Sequence, residues 1–281
     1  MSFENALPLG TVLVNRYKIL NIIGGGGIGL VYLAKDKKEN VLRAIKQMVV
    51  EHTDLTEYAK AISDFRREAE LLSKIAHPLI PTFHGYFIED GFYFLVMEYL
   101  TGKDLLEVLE NAYSPIAEKQ VVKWGIQLCD VLNYIHCYNP PIIYRDMKPA
   151  NILYDDVLDR LYLVDFGTAR FIAALSASGV TAVGTLGYAP PELFDGIVSP
   201  ETDIYSLGAT LVHLLLGRCP PFHPSFGFNF NANRRPCLLN PRISIGIDEI
   251  LVKAVSVKPE DRYSSANEMK LALEQHLTSL E

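Results

Sequence analysis

Short, mainly apolar runs recur through the first hundred residues, and the first of them is half-alternating with polar positions. Five runs have the length and composition of β-strands, and they lie at 16–23, 30–34, 41–46, 83–88 and 92–97. Between the third and fourth runs, apolar residues recur at helical spacing over 54–76, which predicts an amphipathic helix. The N-terminal third is therefore expected to form a small antiparallel sheet with one main helix.

Helical periodicity dominates after residue 101. Apolar residues recur at helical spacing over 119–136, 203–217, 247–255 and 265–280. A strand-rich block at 141–164 interrupts this pattern and carries several polar side chains. Strands first and helices afterwards predict an α+β fold with an N-lobe at 1–100 and a larger helical C-lobe at 101–281.

Composition and charge narrow the possible partners. The chain has 281 residues, and its formal net charge of -7 disfavours nucleic acid as a partner. Its four cysteines form no CxxC pair, so we expect free, mostly buried thiols rather than a zinc site. The N-terminus lacks signal-peptide features, and the longest apolar stretch, 207–216, is too short to span a membrane. We expect a cytoplasmic chain, or the cytosolic part of a larger protein, with no membrane segment of its own.

Two polar motifs indicate the chemistry. Asp146, Lys148 and Asn151 lie within six residues, and Asp165 follows Asn151 by fourteen residues. Asp and Asn provide the hard oxygen ligands that magnesium takes alongside substrate phosphates. A further Asp can accept the proton of an attacking alcohol. The pattern favours transfer of a phosphoryl group from a nucleotide.

A glycine-rich segment supports this interpretation when its context is considered. Gly24, Gly26 and Gly29 fit G-x-G-x-x-G, which alone also suits a dinucleotide-binding fold or a flexible turn. A Rossmann fingerprint should open a helix, whereas 30–34 has the pattern of a strand. A Walker loop would end in Gly-Lys-Ser/Thr, and this one does not. The remaining interpretation is a glycine hairpin whose backbone N–H groups approach phosphates.

These motifs occur in the order and spacing of a known family. The segments 24–31, 44–46, 144–151, 165–167 and 184–192 resemble the signature set of protein kinases, in particular the bacterial serine/threonine branch. The resemblance covers about 17–273. It implies one bilobal catalytic domain that transfers the γ-phosphoryl group of ATP, with Mg²⁺, to Ser/Thr hydroxyls of protein substrates.

The resemblance also assigns roles to residues. Asp146 would be the catalytic base and Lys148 would contact the γ-phosphate, while Lys46 would bind the α- and β-phosphates and be held by Glu68. Asn151 and Asp165 would be the magnesium ligands. The nucleotide would contact a larger set: Ile23, Gly24, Gly25, Gly26, Gly27, Ile28, Gly29, Val31, Ala44, Lys46, Met97, Glu98, Tyr99, Leu100, Asp104 and Leu153.

Further expectations concern regulation and support. The segment 168–183 would be an activation loop that autophosphorylates at Thr181 or its neighbours Ser176 and Ser178, with Arg145 clamping the phosphate. Structural pairs would join Glu192 to Arg262 and Asp203 to the catalytic-loop backbone.

Two alternatives share parts of this pattern. A pseudokinase scaffold would bind nucleotide without transfer, but such proteins usually lose the lysine, the catalytic Asp or the metal-binding Asp, all of which are present. A kinase-like phosphotransferase of small molecules would lack the Gly-Thr-x-x-Tyr segment that begins at Gly184. Both are therefore less favoured than a protein kinase.

Overall fold

The computed structural model describes residues 6–26, 29–48, 55–112, 114–171, 185–219 and 235–280. The chain folds into two compact units, Met1–Thr101 and Gly102–Glu281. We call them unit 1 and unit 2 and describe each by itself.

Unit 1 is built around a six-stranded antiparallel sheet with the strand order β1-β2-β3-β4-β6-β5. One helix, α1 (Leu55–Lys74), lies between β4 and β5 in the chain. The strands are β1 (Val12–Leu13), β2 (Tyr17–Gly26), β3 (Gly29–Asp36), β4 (Val41–Met48), β5 (Phe83–Glu89) and β6 (Phe92–Glu98).

The pleat of this sheet separates two sets of side chains. On β4, Ile45 belongs to an apolar core cluster that also contains Tyr32 of β3 and Val96 of β6. Ala44 and Lys46 alternate with Ile45 and therefore point to the opposite face. The apolar face anchors the strand, while the other face presents Lys46.

Unit 2 is mainly helical. Its helices are α2 (Leu105–Glu110), α3 (Glu118–His136), α4 (Pro191–Phe194), α5 (Pro200–Leu216), α6 (Pro236–Leu239), α7 (Ile245–Ala254) and α8 (Ala266–Ser279). Its short strands are β7 (Lys103–Asp104), β8 (Ile142–Ile143), β9 (Ile152–Asp155), β10 (Arg160–Leu163) and β11 (Arg170–Phe171). Three-residue 3₁₀ turns cover Pro149–Asn151, Phe166–Thr168 and Pro259–Asp261.

Side-chain caps fix where several of these helices begin. Ser199 and Thr202 form a reciprocal capping box at α5, where Pro200 occupies the first turn. Ser244 accepts from the backbone N–H of Ile247 at α7. Gly217, in the left-handed conformation with φ 71°, ends α5. The start of each of these helices therefore follows from local chemistry.

The structure agrees with the expected α+β architecture and differs from it in detail. β2 continues through three glycines that we expected to lie in a turn, because a glycine backbone still pairs in a strand ladder: Gly24, Gly25 and Gly26 lie opposite Val31, Leu30 and Gly29. The short elements β1, β7 and α2 were not predicted individually. The expectation of mostly buried thiols was wrong. All four cysteines are free, but Cys137 and Cys219 are exposed.

No helix in the described ranges combines the length and apolarity needed to cross a membrane.

Candidate active site

The nucleotide-binding lysine expected in unit 1 has a defined partner. Lys46 Nζ lies 2.9 Å from Glu68 Oε1, and the two side chains are 8% and 3% exposed. Glu68 reaches inward because Phe65, Ala69 and Leu72 of α1 are buried around it. Burial removes competing water, so this pair holds the ammonium in one position more firmly than a surface pair would.

The strand register groups the expected adenine contacts with this lysine. Val31 lies directly opposite Lys46 on the neighbouring strand, and Ala44 lies opposite Met97. Directly paired residues point to the same face of a sheet, and positions two apart on one strand also share a face. Val31, Ala44, Lys46 and Met97 therefore share one face of the sheet in unit 1. Ile23, at the bulged part of β2, is exposed.

The glycine segment has one position that only glycine can occupy. Gly29 has φ 154°, and a Cβ placed there would lie 2.1 Å from the carbonyl oxygen of Gln47. The end of the segment can approach β4 this closely because glycine has no side chain. Gly24, Gly25 and Gly26 lie in β2, whereas Gly27 and Ile28 are outside the described residues.

The segment expected to bind the adenine edge starts at the end of β6. The Glu98 N–H donates to Thr82 O at 2.8 Å, and the Glu98 carboxylate accepts from the Thr82 hydroxyl at 2.9 Å. The Glu98 N–H therefore already has an acceptor within unit 1. Tyr99 and Leu100 follow outside regular structure and are half-buried.

Two further expected nucleotide contacts belong to unit 2. Asp104 pairs with Leu153 across β7 and β9, and Leu153 is half-buried. Asp104 Oδ1 accepts from the Glu107 N–H at 2.8 Å and so caps α2. This cap gives Asp104 a structural role; its contact with a ribose stays a prediction.

The expected base lies at the centre of a polar cluster in unit 2. Asp146 Oδ1 accepts from the Thr185 hydroxyl at 2.7 Å, and Oδ2 accepts from Asn151 Nδ2 and Lys148 Nζ, both at 2.8 Å. Lys148 Nζ also lies 2.8 Å from Thr185 Oγ1. Asp146, Lys148, Asn151 and Thr185 thus form one network, although Thr185 is 39 residues from Asp146 in sequence.

The two expected metal ligands are tied together through the backbone. The Val164 N–H donates to Asn151 O at 3.0 Å, immediately before Asp165. Asp165 is exposed and has φ 57°, in the left-handed region. Its side chain accepts from the Gly167 N–H at 3.3 Å, which favours this turn conformation. The Asn151 amide nitrogen donates to Asp146, so only its oxygen can serve as a metal ligand.

Buried residues hold the backbone of this cluster in place. Asp203, fully buried on α5, accepts from the N–H groups of Tyr144 and Arg145 at 2.8 Å each and contacts His136 Nε2 at 2.8 Å. The Tyr144 hydroxyl donates to Val164 O. Burial raises the pKa of Tyr144 well above 10, so this hydroxyl stays a donor.

A second buried pair fixes the segment that carries Thr185. Arg262 donates to both carboxylate oxygens of Glu192 at 2.6 and 2.9 Å, as the resemblance implied.

Arg145 is buried, with φ 69°. The loop positions expected to be phosphorylated, Ser176, Ser178 and Thr181, lie outside the described residues, so the proposed phosphate clamp stays a prediction.

Comparison with known proteins identifies the family. A family profile described as protein kinase domain matches residues 17–273. The chain belongs to this family.

Relatives of the chain include bacterial serine/threonine kinases. A probable serine/threonine-protein kinase of Clostridium acetobutylicum is 34% identical over 271 residues, which cover 93% of this chain and 40% of that protein. PrkC, a serine/threonine-protein kinase of Bacillus subtilis, is 32% identical over 269 residues, again 93% of this chain and 40% of the relative. The PknI kinase domain of Mycobacterium tuberculosis superposes with a TM-score of 0.73 at 23% identity, over 96% of this chain and 99% of that domain, and so shows the fold. The resemblance inferred from the motifs is confirmed, and the chain spans 40% of the length of the two curated relatives.

Sequence reasoning missed a contact pair beside Thr185 in this kinase domain. The Tyr188 hydroxyl and His213 Nδ1 are 2.6 Å apart. Burial lowers the pKa of His213 and raises that of Tyr188, so the imidazole is neutral and the phenol keeps its proton. The ring tautomer decides which of the two groups donates the hydrogen bond. A histidine inside the apolar stretch 207–216 was the available signal, but its partner could not be deduced from spacing.

Proposed function

We propose that this chain is the catalytic domain of a serine/threonine protein kinase, which transfers the γ-phosphoryl group of ATP to Ser/Thr hydroxyls of protein substrates. The observation that carries the proposal is the hydrogen-bonded cluster around Asp146, in which Lys148, Asn151 and Thr185 all contact one carboxylate at 2.7–2.8 Å. This cluster combines a proton acceptor with a cation beside it, as phosphoryl transfer to an alcohol requires.

Asp146 has the capacity to act as the base. A carboxylate offers about four lone-pair sites, and three donors occupy sites on Asp146. The remaining site can accept the hydrogen of a substrate hydroxyl and orient its oxygen for attack. The side chain is 13% exposed, so an incoming hydroxyl can reach it.

Lys148 supplies positive charge next to this base. Its ammonium has three N–H donors. Two of them are directed to Asp146 and Thr185. The third can contact a phosphate oxygen and offset the negative charge that develops during transfer.

The nucleotide phosphates would be held by groups of unit 1. Lys46, fixed by Glu68, would pair with phosphate oxygens, and the backbone of the glycine segment would donate hydrogen bonds to them. Val31, Ala44 and Met97, which share a face with Lys46, would contact the adenine.

The donor set fits magnesium bound jointly with ATP. Asn151 and Asp165 offer an amide oxygen and an exposed carboxylate, which are hard ligands. The described residues contain no cluster of three acidic, His or Cys side chains that would make an all-protein cage. Mg²⁺ usually binds through one or two carboxylates plus substrate phosphates, so this pair suffices. When bound, the ion would neutralise phosphate charge.

Autophosphorylation is the proposed control. Ser176, Ser178 and Thr181 lie in the segment 168–183, between Asp165 and Thr185. A phosphate there would add about -1.5 to -2 charges that Arg145 can pair with. Replacing all three with Ala should remove the loop phosphate seen by mass spectrometry and lower activity; full activity would contradict this control.

Transfer of ³²P from labelled ATP to a generic basic protein tests the function. The wild type should label the substrate, whereas Asp146→Asn and Asp165→Ala should reduce labelling at least a hundredfold, because each removes a group that acts on the reacting atoms. Asp156→Asn, an exposed carboxylate in the turn between β9 and β10, is the matched control and should keep full activity. Wild-type labelling no higher than that of Asp165→Ala, with ATP still bound, would refute a kinase and favour a pseudokinase scaffold.

A further inference from the structure

The strand that carries Lys46 has an unexpected polar side chain on its other face. Gln47 is fully buried, and it shares that face of β4 with Ile45. Its partner in register, Leu30, belongs to the apolar core of unit 1 together with Tyr32. An amide in such a core is costly unless its groups are hydrogen-bonded, so its presence requires an explanation.

The Gln47 side chain is one end of a two-step hydrogen-bonded relay. The Leu7 N–H donates to the Tyr32 hydroxyl at 3.0 Å, and the Tyr32 hydroxyl donates to Gln47 Oε1 at 2.6 Å. The other amide atom, Gln47 Nε2, is buried and has no hydrogen-bond partner within the described ranges. Exchanging the amide atoms would leave the Tyr32 hydroxyl hydrogen without an acceptor, so the observed orientation is the better one.

The relay begins in the segment that precedes β1 and packs against the sheet of unit 1. We call residues 6–11 the N-terminal strap. Ala6 and Leu7 pack against the apolar core of unit 1. Gly10 and Thr11 exchange backbone hydrogen bonds with Ile19 of β2, both 2.9 Å long. The strap is therefore anchored on β2 and, through Tyr32 and Gln47, on β4.

The backbone of Gln47 connects the two expected phosphate-binding groups, Lys46 and Gly29. Gln47 follows Lys46 directly, and Lys46 is paired with Glu68 at 2.9 Å. The Gln47 carbonyl oxygen faces Gly29, where even a Cβ would come within 2.1 Å of it. A small shift of Gln47 along or across the strand would thus move the lysine and the end of the glycine segment together.

A hydrogen bond can fix this position in a way that apolar packing cannot. Apolar contacts are non-directional, and a core tolerates small rearrangements of similar volume. A buried hydrogen bond has strict distance and angle requirements, and leaving it unmade is costly. One such bond on β4 therefore specifies where the strand lies relative to β3.

We propose that Gln47 is a positioning residue for nucleotide binding, which acts through the Leu7–Tyr32–Gln47 relay by fixing Lys46 and Gly29. The inference rests on the proposed kinase function for the identity of the ligand, ATP. Loss of the relay should weaken ATP binding and raise KM for ATP, while kcat changes little, because Asp146 and Lys148 belong to unit 2 and are untouched.

The test compares three variants that break the relay at different places. Gln47→Met keeps the side-chain length and removes the acceptor, and Tyr32→Phe removes the hydroxyl. Leu7→Pro removes the backbone donor at a half-buried position of the N-terminal strap. The affinity for MgATP is measured by isothermal titration calorimetry, and KM and kcat by ³²P transfer. We expect about fivefold weaker binding and a similar rise in KM for Gln47→Met and Tyr32→Phe, with kcat within about twofold. The double variant Gln47→Met/Tyr32→Phe should resemble either of these single variants, because both changes remove the same hydrogen bond.

Ile45→Val is the matched control. Ile45 lies on the same face of β4 and is equally buried, but it has no role in the relay. This change should lower the melting temperature without altering the Kd for MgATP. If Gln47→Met binds MgATP as tightly as the wild type, or if Ile45→Val weakens binding equally, the positioning role is refuted. Should Gln47→Met fail to fold, Tyr32→Phe and Leu7→Pro decide in the same way. Calorimetry distinguishes failure of the positioning role from failure of the proposed function. A chain that binds MgATP without transferring phosphate would refute the kinase function, while the effect of the relay on the affinity for MgATP could still be measured.

Discussion

The buried pair of Arg262 and Glu192 gives the sharpest stability prediction for unit 2. The Arg262 side chain is 0% exposed and that of Glu192 is 9% exposed. Besides two bonds to Glu192, the guanidinium donates to the carbonyl oxygens of Ser256, Glu201 and Val257 at 2.8–3.0 Å. Arg262→Met keeps apolar volume but leaves one buried carboxylate and three carbonyl oxygens in partly buried positions without these donors.

The expected loss is large compared with the stability of a domain. Removing one partner of a buried ion pair costs about 3–5 kcal/mol, and whole domains have about 5–15 kcal/mol. A unit of this size loses about 2–4 °C in melting temperature per kcal/mol, so Arg262→Met should melt about 10 °C lower. The double variant Arg262→Met/Glu192→Leu should recover about 2 kcal/mol, since it removes the unpaired charge but not the three unpaired carbonyls.

Fluorescence of the single tryptophan can follow this unit selectively. Trp124, the only Trp of the chain, is 2% exposed on α3 of unit 2. Urea titrations of the wild type, both single variants and the double variant then give a double-mutant cycle. Asp130→Asn breaks the more exposed pair with Lys270 at 2.7 Å and should cost less than about 1 kcal/mol. Equal losses for Arg262→Met and Asp130→Asn, or a double variant that loses the sum of the singles, would refute the reasoning.

Three further predictions follow from individual contacts. Arg16 lowers the pKa of the buried Asp36 from 3.8 to about 2. The contribution of this carboxylate to folding stability is therefore present above pH 3.8 and is lost as the pH falls towards 2. Asp36→Asn should therefore cost about 2 kcal/mol at pH 7 and almost nothing at pH 2 in circular-dichroism melts; a pH-independent loss would contradict this. Burial lowers the pKa of His213 from 6.5, so its contribution to stability is full above pH 6.5 and declines below it. His213→Gln, which can still hydrogen-bond to Tyr188, should flatten that decline in tryptophan fluorescence, and an unchanged slope would argue against it. Gly29→Ala places a Cβ 2.1 Å from a backbone oxygen of β4 and should weaken MgATP binding at least about tenfold in calorimetry, whereas wild-type affinity would show that the strands adjust.

Much of the fold could be predicted because local signals are strong there. The helix predicted at 119–136 is observed at Glu118–His136, and the strand predicted at 83–88 is observed at Phe83–Glu89. The helix has a clear apolar period, and the strand is followed by the turn signal Glu89-Asp90-Gly91. The glycines at 24–26 were harder, because glycine has no side chain that distinguishes a turn from a strand.

The candidate site was predictable to the extent that its residues are close in sequence. Asp146, Lys148 and Asn151 are within six residues, and the structure joins them around one carboxylate. His213 was recognisable only as a polar residue in an apolar helix, and Gln47 only as a polar residue next to Lys46. Their partners come from other elements, so spacing along the chain could not identify them.

The sequence by itself determined the types of elements, their order, and the chemical groups available for phosphoryl transfer. These properties depend on side-chain identity and on local period, which are read directly along the chain. Only the tertiary structure decided which buried polar groups meet. Ser244 and His276 both contact Glu118, over separations of 126 and 158 residues. Burial makes such contacts obligatory because an unpaired polar group is costly away from water, yet the partner is chosen by proximity in space, which only the folded chain defines.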